Sequence, residues 1–248
     1  MSYIWNNDTL LQISSWEIDW TVSVHKFWEN IEVWKNTEED IWDWWWTYNY
    51  PTTADITHLS QISNKANDRW ETVFIEWLDI NYNIVQQQVN LNASNSTTKV
   101  ALTTPLLRLY RMMYFSDHLA EDDIIVTNSW WWTEYWRMIE WNNQTMMCQY
   151  TVPLWKKAYI TSLYASAIPS DWKKPKSVHL RLKIADRWNG FDFMTKWSMW
   201  IPEKWWMVLR DPKPYMQLTE KMDLKISAYC DWQKGYITAW FDIILVDD

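Results

Sequence analysis

The sequence predicts an all-β chain, a sandwich or barrel of antiparallel strands. Three observations carry this. Apolar residues alternate with polar ones over several segments of strand length. Most of the eight prolines fall between those segments. No βα unit repeats along the 248 residues.

The first strand is expected over Trp16–Val24. After Pro51, Thr52–Ser63 is expected to form a short helix of two or three turns, with Thr52 or Thr53 as N-cap. Strands follow at Thr72–Asp79, Tyr82–Leu91, Lys99–Thr103 and Leu106–Met113. Tyr82–Leu91 and Lys99–Thr103 read as two strands of a hairpin joined by a polar turn without glycine. A second helical turn is expected at Ser116–Asp123, then strands at Trp136–Trp141 and Met146–Val152. The clearest strand is SVHLRLKI, where Val178, Leu180, Leu182 and Ile184 alternate with His179, Arg181 and Lys183. Ile201–Tyr215, with Pro202, Pro212 and Pro214, reads as a long loop. In KMDLKISAYC, Met222, Leu224, Ile226, Ala228 and Cys230 form one face, and Asp223, Lys225, Ser227 and Tyr229 the other. Tyr236–Phe241 closes the series, and no boundary divides the chain into two domains.

Composition limits the function classes. The net charge is −8, whereas a binder that neutralises phosphates shows a basic face. The local basic pieces, Arg108–Arg111 and Trp172–Lys176, are expected to be solvated edges and loops. No apolar run reaches the ~20 residues of a membrane span. MSYIWNNDTL has neither the basic start nor the apolar stretch of a signal peptide. Cys148 and Cys230 are expected as buried free thiols, and the Asn-x-Ser/Thr triplets at Asn7, Asn92, Asn95 and Asn143 as unused sequons. Glycine is scarce: 2 residues, where a usage of about 7% gives roughly 17. Tryptophan is abundant, at 25.

Motifs for chemistry are sparse. His25, His58, His118 and His179 lie far apart and away from both cysteines, so no metal site is expected. Nucleotide-binding and nucleophile-elbow motifs are absent, and no cofactor is expected. His179 is expected on an exposed strand face. Glu76 and Glu140 could pair in a sandwich glycosidase, but both follow the outward polar phase of their strands. Exposed tryptophans could stack on sugars in a carbohydrate-binding module, yet they are spread over the whole chain.

Five segments, in order, resemble the second large capsid protein of picornaviruses. NIVQQQVNLNAS, with a following strand ending at Pro105, is similar to that family's hairpin; Asn92, Ala93 and Ser94 match it. DWWWTYNYP is similar to its tryptophan segment through Trp44, Trp45, Trp46 and Pro51. YWRMIEWNNQTMMCQYTVPLW corresponds at Asn142, Asn143, Thr145, Val152 and Pro153. SVHLRLKI and MDLKISAYCDWQKGYITAW stand where its later strands stand. The likeness spans about Trp42 to Trp240 and departs from the family in the hairpin turn. There Lys99 stands near the family's glycine and Thr97 stands at its histidine.

The resemblance implies one eight-stranded antiparallel jelly-roll domain over 1–248, with one or two short helices in connections and 1–13 as an N-terminal arm. It implies a non-enzymatic subunit of a small icosahedral RNA-virus capsid, assembled in the host cytoplasm. The expected partners are other capsid proteins, with limited contact to genomic RNA and no membrane span. The matching residues would be structural.

Overall fold

The computed structural model describes residues 12–13, 18–42, 47–48, 50–129, 134–169, 177–202, 207–210, 215–231 and 234–248. The expected arm is therefore described only at 12–13, where Ile13 is buried. Trp44, Trp45, Trp46 and the whole basic piece at 172–176 lie outside the described residues.

The strands, in chain order, begin with β1 (Thr21–Val33), β2 (Glu39–Asp40), β3 (Ile56–Gln61), β4 (Thr72–Leu78), β5 (Ile84–Asn90) and β6 (Val100–Leu106). They continue with β7 (Arg108–Phe115), β8 (Ile124–Thr127), β9 (Glu134–Met138), β10 (Gln149–Thr151), β11 (Lys156–Pro169) and β12 (Ser177–Asp186). A 3-10 turn at Arg187–Asn189 leads to β13 (Phe191–Pro202). The last are β14 (Met207–Arg210), β15 (Met216–Leu218), β16 (Asp223–Cys230) and β17 (Gly235–Asp247).

Among the described residues these strands form four antiparallel sheets and no barrel. The first runs β1-β17-β11-β14, with β15 also on β11; the second runs β10-β16-β12-β13, with β2 also on β16. The third is β6-β3-β8-β9 and the fourth β5-β4-β7. The first two sheets enclose one core, where Leu180, Leu182, Ile184, Leu224 and Ile226 gather with Ile237, Ala239, Phe241, Ile243 and Leu245. β17 shows the period-2 rule over almost its whole length, buried and half-buried residues alternating from Gly235 to Val246. The other two sheets enclose a second core around Ile56, Leu59, Val73, Ile75, Trp77, Met112, Ile124 and Trp136. The chain enters this second sandwich after β2 and returns to the first at β10.

Three of the expected helices and loops need correction. Thr52–Ser63 is not a helix: Ile56–Gln61 is the strand β3, paired to β6 on one side and β8 on the other. A strand position between two neighbours satisfies every backbone group, which outweighs local helix propensity. Ser116–Asp123 is likewise non-helical, a run of bends. The loop expected at Ile201–Tyr215 contains β14, which pairs with Leu163–Ser166 of β11.

The quoted hairpin is also not a hairpin. β5 pairs with β4 and β6 pairs with β3, in different sheets. The connection between them crosses from one layer of the second sandwich to the other. Asn92 turns it by accepting from the backbone N–H groups of Ser94 (2.9 Å) and Asn95 (3.1 Å). Asn95 repeats the device on the Thr97 N–H at 3.0 Å. Side-chain carbonyls thus stand in for the glycine that a tight hairpin would need.

The two cores meet at a charged seam. Arg108 of β7 donates to Asp223 of β16 through Nε–Oδ1 (3.1 Å) and Nη2–Oδ2 (3.2 Å), with both side chains nearly sealed from water. Thr151 Oγ1 donates to the same carboxylate at 2.5 Å. The guanidinium groups of Arg108 and Arg187 each lie over the Tyr50 ring, 5.1 Å from its centroid. Lys225 Nζ reaches buried Asp40 at 2.9 Å, and Asp40 also accepts from the Tyr48 N–H at 2.7 Å. This seam explains why the outward face of β16 is buried, against the expected wet face: Asp223, Lys225 and Ser227 find charged or polar partners there. Arg108 is consequently not part of a solvated basic patch, whereas Arg111 is exposed.

Candidate functional site

Among the described residues, those of the family motifs do not converge on one site. Pro51 is buried at the seam, and its carbonyl accepts from Arg108 Nη1. Asn92, Ala93 and Ser94 form the sheet-crossing turn of the second sandwich. Pro105 is exposed on β6, an edge strand, where its missing N–H costs least. Asn142 and Asn143 lie in the turn after β9, and the Asn143 carbonyl accepts from the Tyr114 N–H at 2.8 Å. Pro153 is buried beside Val152, whose N–H and carbonyl pair with Met222 and Lys221.

One polar cluster brings together residue types used in catalysis. Asp68 is fully buried and accepts from Tyr114 Oη (2.7 Å), from the Glu121 N–H (2.9 Å) and from Gln61 Nε2. His118 Nε2 lies 3.1 Å from Asp68 Oδ1, and Ser116 Oγ lies 2.7 Å from His118 Nδ1. The Asp117 carboxylate, accepting a hydrogen bond from His118, raises the His118 pKa more than Asp68 does. The cluster borders an open cavity of about 590 Å³ lined by Asn67, Asp117, His118, Leu119, Glu121 and Trp141.

A serine, a histidine and an aspartate in series invite comparison with a nucleophilic triad. Here the carboxylate is already committed to donors from three separate segments, and it ties the 116–121 bend to β3 and the turn before β4. Asp68→Ala would leave the Glu121 N–H without its acceptor and take one of two partners from the Tyr114 hydroxyl and the Gln61 amide. We expect a loss of about 3 kcal/mol in urea unfolding, and about 1 kcal/mol for Tyr114→Phe.

Glu76 lies on β4 and Glu140 just after β9, strands of different sheets. Glu76 accepts from Gln86 Nε2 (2.6 Å) on the neighbouring strand, and the Glu140 backbone N–H donates to Asp123 (2.6 Å). His179, expected on an exposed face, is buried: it stacks on Trp200 at 4.1 Å and meets Tyr229 Oη at 2.5 Å. Burial lowers its pKa, with Arg181 adding to the effect. Both cysteines are free and buried; Cys148 donates to the Ala239 carbonyl, and burial pushes Cys230 up to about 12. Among the described residues no group of His, Cys, Asp and Glu could hold a metal, and no helix is long and apolar enough to cross a membrane.

Sheet edges are the other candidate surface. β13 is twelve residues long and pairs only with β12 among the described residues. It exposes Phe191, Met194 and Trp200. A long edge with apolar side chains is a template for a further strand or a packed neighbour. Sequence reasoning assigned no strand to Phe191–Trp200, and an edge is defined by which strand fails to arrive beside it.

No protein family, no curated protein and no solved structure was found to match this chain.

Proposed function

We propose that the chain is a structural subunit of an icosahedral virus capsid, built on a jelly roll that carries an inserted second sandwich. The observation that carries the reading is strand order. Numbered 1 to 8 in chain order, the strands β1, β10, β11, β12, β13, β14, β16 and β17 make one sheet in the order 1-8-3-6. Their other sheet runs 2-7-4-5. The antiparallel pairs are thus 1 with 8, 2 with 7, 3 with 6 and 4 with 5. A long hairpin ribbon rolled into two facing sheets has this order, and capsid domains use it widely. The fold alone does not assign the role. The exposed apolar edge of β13 adds to the reading. The picornavirus-like segment around Asn92 lies in the inserted sandwich, so the reading rests on topology and not on that hairpin.

Its partners would be further shell proteins packed against the sandwich edges, with only local contact to the genome. Sedimentation of source material, followed by negative-stain imaging, tests this. The chain is expected in closed particles. Recovery as a free monomer, with no particle fraction, would sink the proposal.

A carbohydrate-binding reading has one observation in its favour. On the outer face of the first sheet, Tyr164, Trp240, His25 and Phe27 form an aromatic row. Tyr164 and Trp240 lie 3.4 Å apart at 10°, however, so each covers a face that a sugar would need. Titration with oligosaccharides is expected to leave indole fluorescence unchanged.

A further inference from the structure

The backbone asks for glycine where the sequence has tryptophan. Among the described residues seven non-glycine residues have left-handed φ: Trp20 (55°), Asn36 (55°), Trp70 (70°), Tyr82 (64°), Trp141 (67°), Trp155 (60°) and Lys221 (65°). Four are tryptophan, a bulky type for which this region is a true outlier. Two sit in turns whose geometry can be read directly. The Glu71 N–H donates to the Asp68 carbonyl (3.3 Å), which makes Trp70 the third turn residue. The Asn142 N–H donates to the Ile139 carbonyl (3.1 Å), which makes Trp141 the third turn residue. A third residue with positive φ is the position where a β-turn selects glycine. Trp155 follows the buried Val152–Pro153 corner, and Trp20 closes the turn into β1.

Packing does not compensate. The four indoles are 68%, 67%, 62% and 69% exposed, in chain order. A large apolar ring in water, on a backbone that resists any Cβ, has no structural reason to be there. Two buried tryptophans, Trp77 and Trp136, leave their indole N–H without a partner, which is also unusual. Gly190, by contrast, occupies a left-handed position (φ 81°) capping the 3-10 turn. The chain-wide totals, 2 glycines and 25 tryptophans, extend the pattern beyond the turns.

We infer that the polypeptide made in its source carries glycine at Trp20, Trp70, Trp141 and Trp155, each encoded by UGA. That codon is a stop in the standard code, but it is read as tryptophan in some lineages and as glycine in others. The co-factor required is a glycine-charged tRNA whose anticodon pairs with UGA. The inference is independent of the proposed shell role.

Two measurements test it. The gene is expected to carry UGA at all four positions, and peptide mass spectrometry of the protein from its source is expected to find glycine there. UGG codons, or tryptophan in those peptides, would overturn the inference. In the chain as written, Trp70→Gly and Trp141→Gly are each expected to raise Tm by about 2–4 °C. Trp70→Ala and Trp141→Ala should raise it less, because a Cβ remains at positive φ. Unchanged or lowered Tm for both glycine variants would remove the structural basis of the assignment.

Discussion

Asp223→Ala will lower the unfolding free energy by about 3–5 kcal/mol, the largest single effect we expect outside the apolar cores. Asp223 is the anion of the seam. It holds Arg108 by two hydrogen bonds, takes the Thr151 hydroxyl, and lies 3.9 Å from Arg187 Nε. Removing it leaves the Arg108 guanidinium buried without its counter-charge. The second sandwich then loses its main polar tie to the first. Replacing both partners, as Arg108→Met with Asp223→Leu, should recover most of the loss, because neither charge then needs to be desolvated. Urea unfolding of the two singles and the double, treated as a cycle, reads this directly. A double variant as unstable as Asp223→Ala would show that the seam acts through shape, not charge.

From pH 7 up to about 9 stability is expected to rise because of Lys26; above the ordinary thiol pKa of 9.0 the buried Cys148 and Cys230, whose pKa values are raised, work against it. This lysine lies on β1 with its side chain buried, and Nζ donates to the Tyr110 carbonyl. The Tyr110 and Tyr150 rings beside it stack at 4.6 Å. Burial moves its pKa from the ordinary 10.5 down to about 7; Arg111 pushes the same way, against Glu76 and Cys148. The unfolded chain keeps the proton up to about 10.5, whereas the folded chain releases it near 7. At Lys26, unfolding within that window takes up a proton, so its contribution grows as pH rises through it and levels off below 7. The full change is of order a few kcal/mol. Lys26→Met keeps the length of the side chain and should flatten the slope in urea midpoints measured from pH 7 to about 9. An unchanged slope in that variant would place its origin elsewhere.

Much of the strand pattern was legible. SVHLRLKI and MDLKISAYC appear as β12 and β16 because a sheet face buried on one core writes its period into the letters. The β4 and β5 segments were equally plain. Segments whose environment comes from elsewhere were misread. Thr52–Ser63 has a plausible helix start, but β3 is decided by β6 and β8 arriving on its two sides. His179 follows the polar phase of its strand, yet Trp200 and Tyr229 from both neighbouring strands close over it. The Asp68 cluster could not be read: Tyr114, His118 and Glu121 are near neighbours in the chain, but Gln61 and Asp68 reach them from about fifty residues away, and no motif spacing links the two stretches.

By itself the amino-acid sequence determined that this is an antiparallel β chain, since alternation and proline placement are local and need no partner to be seen. It also carried the scarcity of glycine, though not its consequence. Only the tertiary structure decided that the strands divide between two cores, that the Asn92 turn crosses layers, and which tryptophans stand at left-handed positions. Those outcomes depend on which distant segments meet and on the φ each meeting imposes, and neither is written in the spacing of neighbours along the chain.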